Sequence, residues 1–351
     1  MSVRSILQSF DAWRASAEPL VLATVYETQG STYSKAGQRI LIAANGDYRG
    51  LVSGGCLEGD LAERARSVVA SDRPDAVTYD LRDAADELWG LGIGCNGLLR
   101  VFLQPLHTAG LYQPFTAIAA CLRGTEIAGS ATVVDSTDPA LPAGTTVICR
   151  AGAHEVFGAA TTVADRVLIG ARRAAEEGRA RLVTESGSRV LYAPLRPIPK
   201  LLVLGAGLDA VPLVGMAAEL GWFVTVADHR PAYVARPGFE RAERVVLVEP
   251  DAVAATLPLD LFDAVVVMSH HLPTDRKYLA QLATSNCRYV GVLGPRARRD
   301  RLLADLGASA AQLRDRLKGP VGLDIHADSP ESIALSILAE LQSTLSSRPQ
   351  N

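Results

Sequence analysis

Lys200-Leu201-Leu202-Val203-Leu204-Gly205-Ala206-Gly207-Leu208-Asp209-Ala210 is the stretch that decides the fold. Its first five residues, a lysine and then Leu201 to Leu204, read as a strand, and G-x-G-x-x-A follows at once. Apolar residues at helical spacing then continue to Gly221. Glycines between a strand and a helix permit a tight turn and let an anion approach the backbone at the helix N-terminus. A second apolar run, 223–227, ends at Asp228, twenty-one residues after Gly207. That is the separation at which dinucleotide folds place the acid that accepts from a ribose hydroxyl. Gly205, Gly207 and Asp228 are therefore candidate nucleotide-binding residues, and an acid at the last position favours a NAD-type ligand over a NADP-type one.

Outward from this stretch, further apolar runs at 244–248, 264–268, 289–293 and 321–325 alternate with helical patterns. They predict a six-stranded, doubly wound parallel sheet, with its ligand crevice beyond the carboxyl ends of the strands. The last helix begins with Ser329 as N-cap and Pro330 at its first position. His229, His270, His271 and His326 follow strand ends. They include no H-x-H or H-E-x-x-H spacing, which argues against metal and for ordinary hydrogen bonding. Upstream, Pro194-Leu195-Arg196-Pro197-Ile198-Pro199 cannot continue a helix or a central strand. It divides the chain into domains at 1–195 and 199–345.

The N-terminal part reads as an α/β (mixed-sheet) domain. A helix at 4–18 is stopped by Pro19 and followed by a strand at 20–26. Asn45-Gly46 marks a hairpin that calls for positive φ at both turn residues. Next comes Leu51-Val52-Ser53-Gly54-Gly55-Cys56-Leu57-Glu58-Gly59-Asp60, which leads into a helix carrying Leu57, Leu61, Ala65 and Val68. A thiol at a glycine-rich helix start sits beside outward-pointing N–H groups, an arrangement suited to a phosphorylated ligand with a soft, sulfur-binding centre. A small buried hydrophobe in a structural turn would also account for Cys56. Trp89-Gly90-Leu91-Gly92-Ile93-Gly94-Cys95-Asn96-Gly97 brings a second thiol in another glycine-rich loop, and the polar loop Gln29–Gly37 could close over the same ligand. The region 112–193 reads as further helices and strands with no chemistry and no internal repeat; Cys121 and Cys149 fall among core positions.

The chain has 351 residues, enough for two or three cores, and 35 basic against 38 acidic residues with no long run of either sign. This balance gives no footprint for nucleic acid. No targeting segment or membrane-spanning run is evident, so a cytoplasmic protein is expected. Five cysteines, odd in number and without a C-x-x-C pair, argue for reduced thiols and against a disulfide framework or a structural zinc site.

With these stretches in view, the chain resembles the XdhC/CoxI family, accessory proteins of xanthine dehydrogenase and related molybdenum hydroxylases. The resemblance rests on Val52 to Asp60, Gly92-Ile93-Gly94-Cys95, Tyr289-Val290-Gly291-Val292-Leu293-Gly294 and Gly319-Pro320-Val321-Gly322-Leu323-Asp324-Ile325. It implies a protein that binds molybdenum cofactor, as molybdopterin or its cytosine dinucleotide form. The cofactor would be protected while a cysteine desulfurase supplies its terminal sulfur, then delivered to the catalytic subunit of a hydroxylase. A homodimer is expected. The cofactor-binding candidates are Ser53, Gly54, Gly55, Cys56, Glu58, Gly94, Cys95, Gly205, Gly207 and Asp228, with Cys56 as the metal-contacting thiol and a dinucleotide as a further ligand of the C-terminal domain. Such a chaperone has no catalytic residues of its own. The competing readings are a NAD-dependent oxidoreductase and a non-catalytic nucleotide-binding adaptor; no acid, base and nucleophile set can be read around the fingerprint to favour the former.

Overall fold

The computed structural model describes residues 2–82 and 97–346, and the chain divides into two compact units, Met1–Pro197 and Ile198–Asn351. In the first unit a helix, Val3–Ala15, precedes the strands Leu20–Gly30, Arg39–Ala43 and Tyr48–Arg49; a second helix, Glu58–Ser71, leads to Asp75–Asp80 and Gly97–Leu106. The same sequence of elements then recurs. Phe115–Arg123 precedes the strands Ala128–Ser136, Thr146–Arg150 and Ala153–Phe157, and Ala164–Glu177 leads to Arg181–Glu185 and Ser188–Leu195. Each set forms a five-stranded sheet in the order third, second, first, fifth, fourth, with antiparallel neighbours throughout. The repeat that the sequence does not reveal is therefore one of topology.

Burial explains why the two sheets belong together. Alternate residues on a strand face opposite sides. Val21, Ala23, Val25, Val101 and Leu103 pack beneath Leu61, Ala65 and Val68 of the second helix, while Tyr26 and Phe102 turn the other way and meet Val134, Leu191 and Ala193 of the second sheet. On that sheet's far face, Ala131, Val133 and Val190 pack under Val167, Leu168 and Ala171. The layers run helix, sheet, sheet, helix. Polar links cross the middle: Glu27, paired with Arg100 of its own sheet, also pairs with Arg189 of the other, both at 2.8 Å, and Arg39 donates to the Ser130 hydroxyl at 3.3 Å.

Two local expectations need correction. In the Asn45–Gly46 turn, Gly46 has φ +95° and Asn45 is not left-handed. Asn45 instead accepts from the Asp47 amide at 2.8 Å, an Asx turn that makes the second positive φ unnecessary. Pro194 lies inside the strand Ser188–Leu195, opposite Gly129. The strand on its other side ends at the Tyr192–Arg181 pair, so the missing N–H falls on a locally open edge.

The second unit is the doubly wound sheet. Its strands, in spatial order, are Arg244–Leu247, Phe223–Asp228, Lys200–Leu204, Ala264–Val267, Tyr289–Val292 and Leu317–Lys318, all parallel. The order reverses between Lys200–Leu204 and Ala264–Val267, which is the switch point of the fold. Leu201, Val203, Val224 and Val266 meet Leu213, Ala217, Ile337 and Leu341 of the helices Ala210–Glu219 and Pro330–Ser346 on one face. On the opposite face Leu202, Val265 and Val290 pack against Tyr278, Leu279 and Leu302. The sixth strand is not the expected 321–325 but Leu317–Lys318, just upstream. Pro320 supplies no N–H, and although the Val321 amide still donates to Val292 at 3.2 Å, Gly322 has φ +100° with its amide given to Glu340 at 2.7 Å, so the segment leaves the ladder there.

Candidate functional site

The thiol loop is built around a buried carboxylate. Glu58, the first residue of its helix, is fully buried and turns back into the loop. It accepts from the Val52 amide at 2.9 Å, the Ser53 amide at 2.8 Å and the Ser53 hydroxyl at 2.5 Å. The Ser53 hydroxyl oxygen accepts in turn from the Leu57 amide at 3.0 Å and the Gly55 amide at 3.3 Å. Burial alone would push the Glu58 carboxyl up, but these donors outweigh it and hold it below the ordinary glutamate range. The anion expected in this cradle is thus the chain's own. The loop's shape is set from within.

What the loop leaves outward is Cys56. Its side chain is exposed, whereas Cys121, Cys149 and Cys287 are buried. Burial pushes the thiols of Cys121 and Cys149 up, and that of Cys287 up to about 11. Gly54 and Gly55 precede Cys56, and a Cβ on either would meet nothing within 4 Å among the described residues. Gly55 has φ +111°, a conformation that a side chain disfavours; Gly54 is free of that constraint. Among the described residues, the space beside these two glycines is open.

Neighbouring loops gather at the same end of the first sheet. Ser34, fully buried, and Gln38 both donate to the Leu51 carbonyl, at 3.4 and 2.7 Å, tying the loop 31–38 to the entry of the thiol loop. A Cβ on Gly97 would lie 2.6 Å from the Ser31 carbonyl oxygen, so Gly97 lets its strand start beneath that loop. Arg82 donates to the Gln29 side chain at 3.0 Å, and the Leu81 amide to the Gly97 carbonyl at 3.0 Å. Gly94 and Cys95 lie outside the described residues. No cluster of three or more His, Cys, Asp or Glu side chains suited to a metal occurs among the described residues. Cys56 would serve as one ligand to a metal that brings others with it.

The fingerprint of the second unit is also occupied by its own side chains. Asp228 is 1% exposed. One oxygen accepts from the Ala206 amide and Arg230 Nη2, both at 2.7 Å; the other accepts from the Arg230 amide and Nε, both at 2.9 Å. A carboxylate offers about four lone-pair sites, and these four donors fill them. Burial pushes Asp228 up, while Arg230 and the amides overcome this and leave it below the usual range. Arg230 also stacks on Tyr233, 3.5 Å from the ring centroid. Gly205 has φ +127°, and a Cβ there would meet the Met268 carbonyl oxygen at 2.5 Å; at Gly207 it would meet Asp209 Oδ1 at 2.3 Å. Asp209 Oδ2 pairs with His270 Nε2 at 2.7 Å, across the switch point. The motif here serves close packing of the chain on itself.

Sequence reasoning placed Glu58 and Asp228 against a ligand, and the structure places them against the loops they position. It did not find Arg230 or the Asp209–His270 pair. The acid-then-arginine spacing of Asp228 and Arg230 was available as a signal; the second pair joins residues 61 apart in sequence and has none.

A thiol presented on a glycine-opened loop in a two-sheet unit, joined to a Rossmann unit, defines the class. The model of the XdhC and CoxI family matches residues 13–80, and that of the XdhC Rossmann domain matches 201–341. The chain belongs to the XdhC and CoxI family. It is 31% identical to a probable xanthine dehydrogenase subunit of Bacillus subtilis (strain 168), over 95% of this chain and 96% of that one. It is 23% identical to the molybdenum cofactor insertion chaperone PaoD of Escherichia coli (strain K12), over 97% of this chain and 88% of the other. A crystal structure described as a xanthine dehydrogenase from Bacillus halodurans superposes with a TM-score of 0.78 and 29% identity, covering 100% of this chain and 97% of that one.

Proposed function

We propose that this protein binds molybdenum cofactor, shields it while its terminal sulfur is installed, and inserts it into a xanthine dehydrogenase-type molybdenum hydroxylase. The observation that carries this reading is the Cys56 loop. A soft metal centre with its own sulfur ligands needs one exposed thiol, a rigid backbone to present it and room for a bulky head. Cys56 supplies the first, the Glu58 and Ser53 hydrogen bonds the second, and Gly54 with Gly55 the third. Support also comes from the PaoD relative, whose name states cofactor insertion. The catalytic subunit of a hydroxylase is the recipient and a cysteine desulfurase the sulfur donor. The chain contributes binding and presentation; a nicotinamide oxidoreductase is disfavoured because the acid it would require at Asp228 is already saturated.

Transfer to a cofactor-free hydroxylase tests this. Wild-type protein purified from cells that make the cofactor is expected to restore hydroxylase turnover, and Cys56→Ser to restore little, while Cys121→Ser behaves as wild type. Equal restoration by Cys56→Ser and wild type would remove the thiol from the mechanism.

A further inference from the structure

The C-terminal unit holds a cavity of about 990 Å³ along the carboxyl ends of its strands. Its wall takes Asp209 from the turn after Lys200–Leu204, His270 from that after Ala264–Val267, Arg296 and Arg298 from beyond Tyr289–Val292, and Leu323 from beyond Leu317–Lys318. Adjacent strands lie about 4.8 Å apart, so four strand ends span roughly 14 Å. That is the reach of one nucleotide, and the volume is at the upper end of small-ligand sites.

A doubly wound sheet offers two mononucleotide-binding halves, one on each side of the switch point. In this unit the half served by Phe223–Asp228 is closed by its own polar groups. The four acceptor positions of Asp228 are filled, and Arg230 lies across it. Asp209 sets a carboxylate over Gly207, at the head of Ala210–Glu219, where a pyrophosphate would otherwise lie. The cavity lies toward the other half and reaches back across the switch point only as far as the Asp209 turn.

We infer that the C-terminal unit binds a nucleoside monophosphate in this cavity, rather than a dinucleotide that extends over Gly207 to Asp228. Leu293, Leu323, Ile325 and Ile333, all accessible in the lining, give the base an apolar wall. Arg296, exposed and without an ion pair among the described residues, takes the phosphate. Arg298 is held by buried Asp275 at 2.6 Å and acts as fixed wall; Gly294 makes way for it, since a Cβ there would meet Arg298 Cδ at 2.6 Å. At the inner end Asp209, oriented by His270, accepts from an amino group on the base. The same chemistry recognises a free mononucleotide or the nucleotide end of a larger cofactor. The inference does not rest on the thiol loop.

Equilibrium titration of the full chain with AMP, CMP, GMP, their nucleosides and NAD tests it. At least one monophosphate is expected to saturate the protein, with its nucleoside binding about tenfold or more weakly. Arg296→Glu is expected to weaken it by a similar factor, and Ile333→Trp, at a half-buried lining position, to abolish it while the thermal midpoint stays near wild type. Should Ile333→Trp fail to fold, Leu323→Trp fills the cavity from an exposed position. Competition by NAD that Ile333→Trp also abolishes identifies the nucleotide end of a larger molecule as an admissible ligand; no competition identifies the free mononucleotide. Absence of monophosphate binding by wild type, monophosphate binding untouched by the cavity-filling variants, or NAD binding that survives them would overturn the inference.

Discussion

Cys56 and Glu58 divide the work of the thiol loop between them. Exposure and burial set the order in which the thiols react: a thiol must reach reagent and ionise, and burial opposes both at Cys121, Cys149 and Cys287. Limited alkylation followed by peptide mass analysis is expected to label Cys56 among these four first, with the others modified only on unfolding; earlier labelling of Cys287 would contradict that order. Glu58→Gln keeps the shape but replaces a charged acceptor of three hydrogen bonds, and a loss of about 1.5–3 kcal/mol is expected in denaturant unfolding. Since the folded carboxyl titrates below its unfolded value, its stabilisation is complete above the ordinary glutamate range and is lost as pH falls through the lowered value. Wild type is therefore expected to lose this increment in acid, and Glu58→Gln to show a flatter profile there.

Among the elements, the loops separate conformational demands from ligand demands. Gly55→Ala forces a side chain into φ +111° and is expected to destabilise the protein by about 1 kcal/mol or more. Gly54→Ala has both allowed backbone and open space, so its thermal midpoint is expected near wild type. Any loss of cofactor binding by Gly54→Ala then reports on the ligand side of the loop. In the second unit, Asp228→Asn removes a buried ion pair and leaves Arg230 without its partner, at a cost of about 3 kcal/mol or more by denaturant titration. The parallel sheet was legible because its strands are buried on both faces and its glycine turn has fixed spacing. Val321 to Ile325 misled because Val321, Leu323 and Ile325 alternate as a strand would, but after one bond from the Val321 amide to Val292 the segment leaves the ladder at Gly322. The motif glycines likewise fit a ligand or the chain's own side chains equally well in sequence. Only the positions of Asp209 and Met268 against Gly207 and Gly205 separate the two.

For the molecule as a whole, the N-terminal unit uses one topology twice and puts an exposed thiol in one copy. Where Gly50 to Leu57 join a strand to Glu58–Ser71, the second copy runs from Ala153–Phe157 to Ala164–Glu177 through residues 158–163, without a cysteine. The fourth and fifth strands of the second copy are joined across two residues, Ser186 and Gly187, whereas sixteen separate Asp80 from Gly97 in the first. Both copies share helix-to-sheet packing, which was not visible in sequence because burial constrains hydrophobicity and period, not identity. The proposed function puts cofactor handling in the copy that carries the exposed Cys56. The direct test is the pterin and molybdenum content of full-length protein purified from cofactor-producing cells. Wild type and Cys149→Ser are expected to retain both in equal proportion, and Cys56→Ser to lose them with an unchanged thermal midpoint. Full retention of pterin and molybdenum by folded Cys56→Ser would contradict the account.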